Sequence, residues 1–401
     1  MPDLATRCCI AGGGPAGVML GFLLARAGID VTVLEKHGDF LRDFRGDTVH
    51  PSTMQVMHEL GLLDAFLARP HSEVRTLAAQ IGNDTAQIAD FTHLPVRAKF
   101  VAFMPQWDFL DFIAGEARHF PSFHLLLNTE ATDVLRDGDR VVGVAATGPE
   151  GPQAIRAELV IAADGRHSTL RDAAGFKVVD RGAPMDVLWL RLSKSPSDPG
   201  QSLGRVDAGH IFIMLDRDDY WQCAFVIPKG GVDEVHAKGL DAFRAEIVRL
   251  APYLRDRVHE LASWDDVKLL TVAVNRLDTW FRPGLLCIGD AAHAMSPIGG
   301  VGINLAIQDA VAAANVLVPR LRAGAATTDD LNAVQKRREW PTRMTQGLQI
   351  AIQDRVISNV LRTTGTLHAP WPVRMLDRYP PLRRLPARVI GMGFRPEHIR
   401  H

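Results

Sequence analysis

Arg7-Cys-Cys-Ile-Ala-Gly-Gly-Gly-Pro-Ala-Gly-Val-Met-Leu-Gly21, read together with Glu35, decides how the rest of the chain is understood. Arg7 to Ala11 reads as a short buried strand, and Gly12, Gly14 and Gly17 fill a G-x-G-x-x-G spacing around Pro15 and Ala16. Ala16 to Ala27 continues as an apolar helix that Gly28 stops, and Val31 to Leu34 form a second strand. Glycine in such a unit makes the tight strand-to-helix turn, admits backbone to a diphosphate and lets helix and strand pack closely. The helix N-terminus offers unpaired N–H groups and the positive end of a dipole, so a pyrophosphate fits there without a basic side chain. Glu35 ends the second strand about 20 residues beyond the glycines, where a carboxylate can accept hydrogen bonds from ribose hydroxyls. The expectation is a βαβ unit holding an adenine dinucleotide. A glycine-rich turn without ligand is the plain alternative for a lone motif, and the motif alone does not separate NAD from FAD.

At 401 residues the chain is long enough for about two domains and a large core. With 45 basic against 46 acidic residues the net charge is −1, so no global field points to nucleic acid and a small-molecule partner is expected. Cys8, Cys9, Cys223 and Cys287 lack C-x-x-C spacing and read as buried thiols, which fits a reducing cytoplasm. No apolar run is read as approaching the roughly 20 residues of a membrane span, and the glycine motif begins too near Met1 to leave room for a signal peptide. A cytoplasmic protein is expected, without membrane-surface contact and with a homodimer left open.

Pro51 to Leu60 reads as a helix with proline in its first turn, preceded by the loop Arg45-Gly46-Asp47. Val74 to Phe91 reads as a hairpin around Gly82-Asn83-Asp84, and Trp107 to His119 as a helix with Gln106 near its cap, either contacting ligand or capping. Strands at 123–127, 132–135, 140–146 and 157–162 lead into Ala163-Asp164-Gly165. From Met185 the pattern changes to longer strands, 187–192, 210–215, 220–227 and 267–274, with a helix near 240–250. This predicts an antiparallel sheet covered on one side and joined by the hairpin. Leu285 to Ile288 is a buried strand, and Ile303, Ala306, Ile307, Ala310, Ala313, Leu317 and Leu321 recur at helical spacing. The predicted division is a nucleotide domain from 1–73, 100–184 and 275–325, a substrate domain from 74–99 and 185–274, and a tail from 326–401 that is helical to about Thr363. The proline-rich, basic remainder of the tail reads as a solvated face packed on the second domain, or as a patch for a membrane surface or acidic partner.

Gly284-Leu-Leu-Cys-Ile-Gly-Asp-Ala-Ala-His293 and Pro297-Ile-Gly-Gly-Val-Gly-Ile-Asn304 add a third motif to the early glycines and Asp164-Gly165. With these three in this order, the chain resembles the p-hydroxybenzoate hydroxylase-like family of FAD-dependent aromatic monooxygenases over most of residues 1 to 325. The resemblance implies an α/β fold, with a Rossmann-like FAD-binding domain, a second antiparallel β-sheet domain for substrate and a helical C-terminal tail, and it selects FAD over NAD. It implies that Glu35, with Lys36 beside it, holds the adenosine ribose, that Arg45 and Gln106 line the FAD path, and that Asp290 after Gly289 binds the ribityl chain. Asp164-Gly165 is associated in the family with both FAD and NAD(P)H. Pro297, Gly300, Gly302, Ile303 and Asn304 would lie against the isoalloxazine ring. Val301 departs from the polar residue, commonly glutamine, that many relatives carry there. The reaction implied has NADPH or NADH reduce FAD, O2 add to flavin C4a as a hydroperoxide, and the distal oxygen pass to a small aromatic or polycyclic substrate.

The glycines at 299, 300 and 302 and the helix after them place a positive dipole end where reduced flavin carries negative charge. No metal signature, nucleophile elbow or cysteine pair is present, and His293 reads as a core histidine of its motif rather than a base. For activating a phenol, Tyr220, His50, His210 and Arg191 are the candidates, with Trp189, Phe212, Met214, Trp221 and Phe225 as an apolar wall. For each of these a structural role is the alternative. Competing functions are a reductase or dehydrogenase of the same fold acting on a prenyl or quinone substrate, a flavin halogenase, and a flavin-free interaction protein resembling the prenylated-GTPase escorts. The W-x-W-x-I-P motif of many halogenases is absent; the nearest run is Trp221 to Pro228.

Overall fold

The structure, a computed structural model, describes residues 3–41, 48–200, 203–217 and 219–400. Its first sheet has the strand order Phe281–Arg282, Leu285–Cys287, Gly151–Ala162, Asp3–Ala11, Val31–Leu34, Phe123–Leu126. The contacts among the last five strands are parallel, with Ile10 opposite both Ile161 and Val33. Parallel strands are covered on both faces, which is why Cys8-Cys9-Ile10-Ala11 is apolar without alternation and fully buried. The first strand is longer than predicted because its partner runs for 12 residues, so pairing extends back to Asp3 opposite Ala154.

The helices Pro15–Arg26 and Gly302–Ala323 pack side by side against this sheet. The second spans part of Ile298–Ala323, a segment long and apolar enough to cross a membrane by length and composition, contrary to the reading above. Its residues are mostly buried, since one face meets the sheet and others meet Pro15–Arg26 and the helix Thr328–Ile352; it is the central helix of the fold. All four cysteines are buried and free.

The second sheet runs Lys268–Leu270, Met185–Ser193, Tyr220–Pro228, His210–Asp216, Leu203–Asp207, Thr76–Ile81, Asp84–Asp90. It is antiparallel except where Leu203–Asp207 lies parallel to Thr76–Ile81, so the hairpin joins it through one parallel pair that its pattern did not reveal. Cover is two-sided rather than one-sided. Leu190, Phe212, Met214, Trp221 and Phe225 meet the helix Leu240–Leu250, while Met185, Val187, Ile211, Ala224 and Val226 meet Ile298, Ile357 and Val360. The central strand Tyr220–Pro228 is accordingly buried at seven consecutive positions.

The predicted strand 267–274 divides: Lys268–Leu270 stays in this sheet, and Asn275–Leu277 pairs with Val178–Asp180. Beyond Arg362 the proline-rich tail holds two further helices, Trp371–Arg378 and Arg384–Met392. Proline is tolerated at the start of the first, where the missing N–H has no helical partner anyway. Both pack on the hairpin strand Asp84–Asp90, and the second also on Pro51–Glu59.

Candidate active site

Parallel strands bring the segments after them together at one edge of the sheet. Gly12 N–H donates to the Leu34 carbonyl (2.8 Å), Ala163 N–H to Ala11 (2.8 Å) and Ile288 N–H to Ala162 (3.0 Å), so the glycine turn, Glu35, Asp164 and Gly289-Asp290 all begin at the same level. This is the carboxyl edge, where open α/β sheets bind ligands. Gly289, at φ +59°, fits between the two helices: a Cβ there would lie 3.1 Å from Ala16 and 3.4 Å from Ala306.

Two glycines of the first motif are required by the fold itself. A Cβ on Gly17 would stand 1.9 Å from the Gly12 carbonyl oxygen, and one on Gly12, at φ +106°, would stand 2.3 Å from Ala163 O. Gly14 differs, because a Cβ there meets nothing within 4 Å. It precedes Pro15 at the helix N-terminus, which has no side-chain cap and no acidic residue in its first turn. Gly302 repeats the arrangement at the second helix, with open space at its Cα and no side-chain cap. Two long helices with bare N-termini at one edge leave donors for an anionic diphosphate at one end and for a ring that gains negative charge at the other. Glu35 is buried and accepts from Gly13 N–H (3.1 Å) and His37 N–H (3.0 Å), which orients its carboxylate beside the turn. Lys36 is exposed. These residues fit an extended adenine dinucleotide.

The ring-end loop is held from a distance. Asn304 Oδ1 accepts from His50 N–H and Thr53 Oγ1 (2.8 Å each), and its Nδ2 donates to the carbonyls of Thr48 (3.1 Å) and Gly300 (3.2 Å). Thr48 Oγ1 donates to Gly300 O as well, at 2.9 Å. The Asn304 side chain is thus occupied in shaping the loop, leaving Gly299 to Gly302 as backbone to face a ligand. His50 is the one catalytic candidate brought to this loop. Its Nδ1 lies 2.7 Å from the Ile390 carbonyl, and its buried Nε2 sits by the Gly299 backbone without a well-aligned hydrogen bond. Burial outweighs both carbonyl neighbours and pushes its pKa down to about 4, so the ring is neutral at physiological pH.

The other three candidates fall elsewhere. His210 points to the opposite face of the second sheet, against Phe225 and bonded to Glu246 (3.2 Å) and Arg249 (2.8 Å). Arg191 stacks over Tyr220 at 3.9 Å, at the strand end six residues from Val226, roughly 20 Å along the strand. Of the predicted apolar wall only Trp189 faces the loop side; Phe212, Met214, Trp221 and Phe225 are core beneath Leu240–Leu250, because strand parity puts them there. Arg45 lies outside the described residues. Gln106 is the first residue of the helix Gln106–Ala117, whose cap is Pro105, so the capping role is not taken. Asp164 accepts from Ser168 Oγ and from Leu170 N–H (3.1 Å); it braces the turn into the short helix Thr169–Ala173, leaving Gly165, at φ +88°, with open space at its Cα. Asp290 is partly exposed with Arg166 3.7 Å away.

A buried ionic cluster under the third motif had no expectation attached to it. Asp309 accepts from Gly289 N–H (3.1 Å), contacts His293 Nε2 (2.6 Å) and accepts from Arg338 Nε (2.8 Å), with Glu397 beyond, paired to Arg337 at 2.6 Å. Burial alone would raise the Asp309 carboxyl, but His293 and Arg338 more than offset this and hold it below the usual carboxylate range. Only His293 was visible beforehand; the apolar periodicity of the central helix conceals Asp309, and Arg338 and Glu397 come from the tail.

The family model for an FAD binding domain matches residues 5–347. The chain belongs to this family. The chain is 32% identical over 387 residues to a 6-methylpretetramide 4-monooxygenase of Streptomyces rimosus, covering 96% of its own length and 92% of the relative's. It is 28% identical over 322 residues to a 12-dehydrotetracycline 5-monooxygenase/anhydrotetracycline 6-monooxygenase of the same species, 75% of this chain but 60% of that longer one. Among solved structures, p-nitrophenol 4-monooxygenase of Pseudomonas putida superposes with a TM-score of 0.77 at 20% identity, over 96% of this chain and 97% of that one. The expected p-hydroxybenzoate hydroxylase-like family and α/β fold hold, and the flavin-free interaction protein is set aside: the chain is an FAD-dependent monooxygenase.

Proposed function

We propose that this monooxygenase uses NADPH or NADH to hydroxylate a polycyclic aromatic small molecule of the polyketide type. The observation that carries the reading is Ile298. It belongs both to the loop before the bare N-terminus of Gly302–Ala323 and to the apolar cluster on the second sheet, with Val187, Ile211 and Val226. The ring end of the cofactor path therefore opens on an apolar wall, and the sequence relative named for a polycyclic substrate points the same way.

Bound FAD supplies the passage of electrons from the nicotinamide and the activation of O2. The chain's own residues do the remaining work. Gly14 and the N–H groups of Pro15–Arg26 receive the diphosphate, and Glu35 the ribose. The Gly302–Ala323 dipole favours negative charge at the ring, and the Thr48, His50 and Asn304 bonds keep its donors aimed. The apolar sheet face orients the substrate and excludes water. His50 is neutral, so in this reading its ring is a hydrogen-bonding group of the loop and not a second positive charge.

The test is a screen of phenols, naphthacene-type polyketides and quinolones for stimulated NAD(P)H and O2 consumption, with product masses read in parallel. A substrate that accelerates oxidation and gains one oxygen atom is the expected result. Reduced enzyme inert to O2 with every compound, or turnover with an artificial acceptor under nitrogen and no oxygenated product, overturns the reading in favour of a reductase.

A further inference from the structure

Where the C-terminal segment closes over the Pro51–Glu59 and Thr328–Ile352 helices there is a cavity of about 490 Å³ that shares no residue with the FAD path. Its walls are aromatic and apolar: Trp340, Phe394, Met392 and Val96. Trp340 and Phe394 stand edge to face at 6.2 Å, and Trp340 is 52% exposed. Two guanidinium groups, Arg388 and Arg395, complete the lining, and neither forms an ion pair among the described residues. Gln55, Pro95 and Val96 continue the cavity into a shallower groove of about 290 Å³ that adds Arg97 and Lys99, likewise unpaired among the described residues. Of the nearby carboxylates, Glu59 is bonded to His398 Nδ1 (2.6 Å), Ile399 N–H (2.9 Å) and Gln55 Nε2 (3.1 Å) and Glu397 to Arg337 (2.6 Å), and among the described residues neither pairs with Arg388 or Arg395.

Arg395 is one of two non-glycine residues with positive φ among those described, at +53°. That conformation costs an arginine energy that glycine would not spend, yet it sets the side chain on the cavity. A concave site of this size with aromatic walls and a few convergent polar groups has the character of a ligand pocket, and guanidinium groups suit planar carboxylates and phosphates.

We propose that this cavity is a second binding site, for an aromatic ring carrying a carboxylate or phosphate. The ring packs on Trp340 and Phe394, and the anion meets Arg388 and Arg395. Two sources share this chemistry, the adenosine phosphate half of a nicotinamide nucleotide and an aryl acid. The proposal does not depend on the hydroxylation reading, only on the cavity.

The test is calorimetric titration of the FAD-loaded protein with 2′,5′-ADP and, separately, with 1-naphthoate. Binding of at least one, with flavin retained, is expected, and the Arg388→Gln/Arg395→Gly double variant should weaken it roughly tenfold or more. Glycine at 395 suits the left-handed backbone, so this change removes the guanidinium without straining the fold; Trp340→Leu, at an exposed position, should weaken the same ligand through lost ring contact. Binding of 2′,5′-ADP alone assigns the site to a nucleotide, and of 1-naphthoate alone to an aryl acid. The proposal is overturned if neither probe binds, if binding is unchanged in the double variant, or if binding expels FAD.

Discussion

The two ends of the cofactor path are built in opposite ways. At the diphosphate end the contacts that shape the turn run mostly between Gly12 and His37, with Ala163, just past the neighbouring strand, pressed against Gly12. At the ring end the loop Pro297 to Gly302 is shaped by Thr48, His50 and Thr53, some 250 residues earlier, and Gly289 beneath it is tied through Asp309 to Arg338 in the tail. The first end is a local motif and the second a tertiary assembly. Damage to the first should therefore be all or none at single atoms, while damage to the second should spread through hydrogen-bonded neighbours.

The largest effect is expected at Gly17. Alanine there must displace the Gly12 carbonyl, whose oxygen lies only 1.9 Å from where the new Cβ would stand, at a cost on the order of 4–5 kcal/mol, and little folded protein should be recovered. Gly14→Ala provides the contrast, since its backbone is in the extended region and its Cβ meets nothing. Thermal unfolding should stay near wild type while the FAD dissociation constant rises at least about tenfold, the methyl now standing where diphosphate approaches. Equal loss of stability in both variants would erase the distinction between a glycine kept for packing and one kept for ligand.

Arg338→Met comes next. It leaves Asp309 buried with His293 as its remaining charge partner, a loss of about 3–5 kcal/mol that denaturant unfolding would measure. Flavin content should fall with stability, because the Asp309 carboxylate also anchors Gly289. A variant that unfolds early yet binds FAD normally would show that the ring end does not depend on its buried cluster.

Acid should expose the His50 contact. The folded protein holds His50 near pKa 4 against an ordinary 6.5, so between these values the unfolded chain binds a proton that the folded one refuses. Stability conferred above about pH 6.5 is lost as pH falls toward 4, by about 3 kcal/mol over the window. His50→Asn can still present a donor toward the Ile390 carbonyl and should flatten that part of the stability profile; an unchanged slope would place the titration elsewhere.

A smaller effect is expected from Asn304→Ala, about 1–3 kcal/mol, since the Thr48 and Gly300 carbonyls and the His50 N–H lose a common partner. Flavin should become more loosely held and more fluorescent on release. The smallest effect on activity belongs to Tyr220→Phe, with substrate turnover unchanged, because the side chain sits with Arg191 at the remote end of its strand. Loss of activity in that variant would relocate the substrate to the far end of the sheet.

The same division explains which parts of the protein were legible beforehand. The βαβ unit, the strand leading to Asp164 and the central helix announce themselves through spacing and periodicity, because their defining contacts are a few residues apart. Phe212, Trp221 and Phe225 were misplaced for a plain reason: alternation shows that two faces exist, and says nothing of which face meets the loop. Pairing of Leu203–Asp207 with Thr76–Ile81, which sets Gly204 opposite Ala79, leaves no local trace either.

Taken alone, the residues determined a dinucleotide-type site, its order of motifs and the α/β class, since glycine geometry, helix dipoles and apolar repeats act at short range; the choice of FAD over NAD came with the family resemblance. Folding decided that His50 rather than His210 or Tyr220 would lie at the Gly299 to Gly302 loop, that Asp309 would be locked between His293 and Arg338, and that the tail would close a second cavity. Those outcomes depend on which distant surfaces meet, and burial and charge pairing acquire their strength only after the surfaces have met.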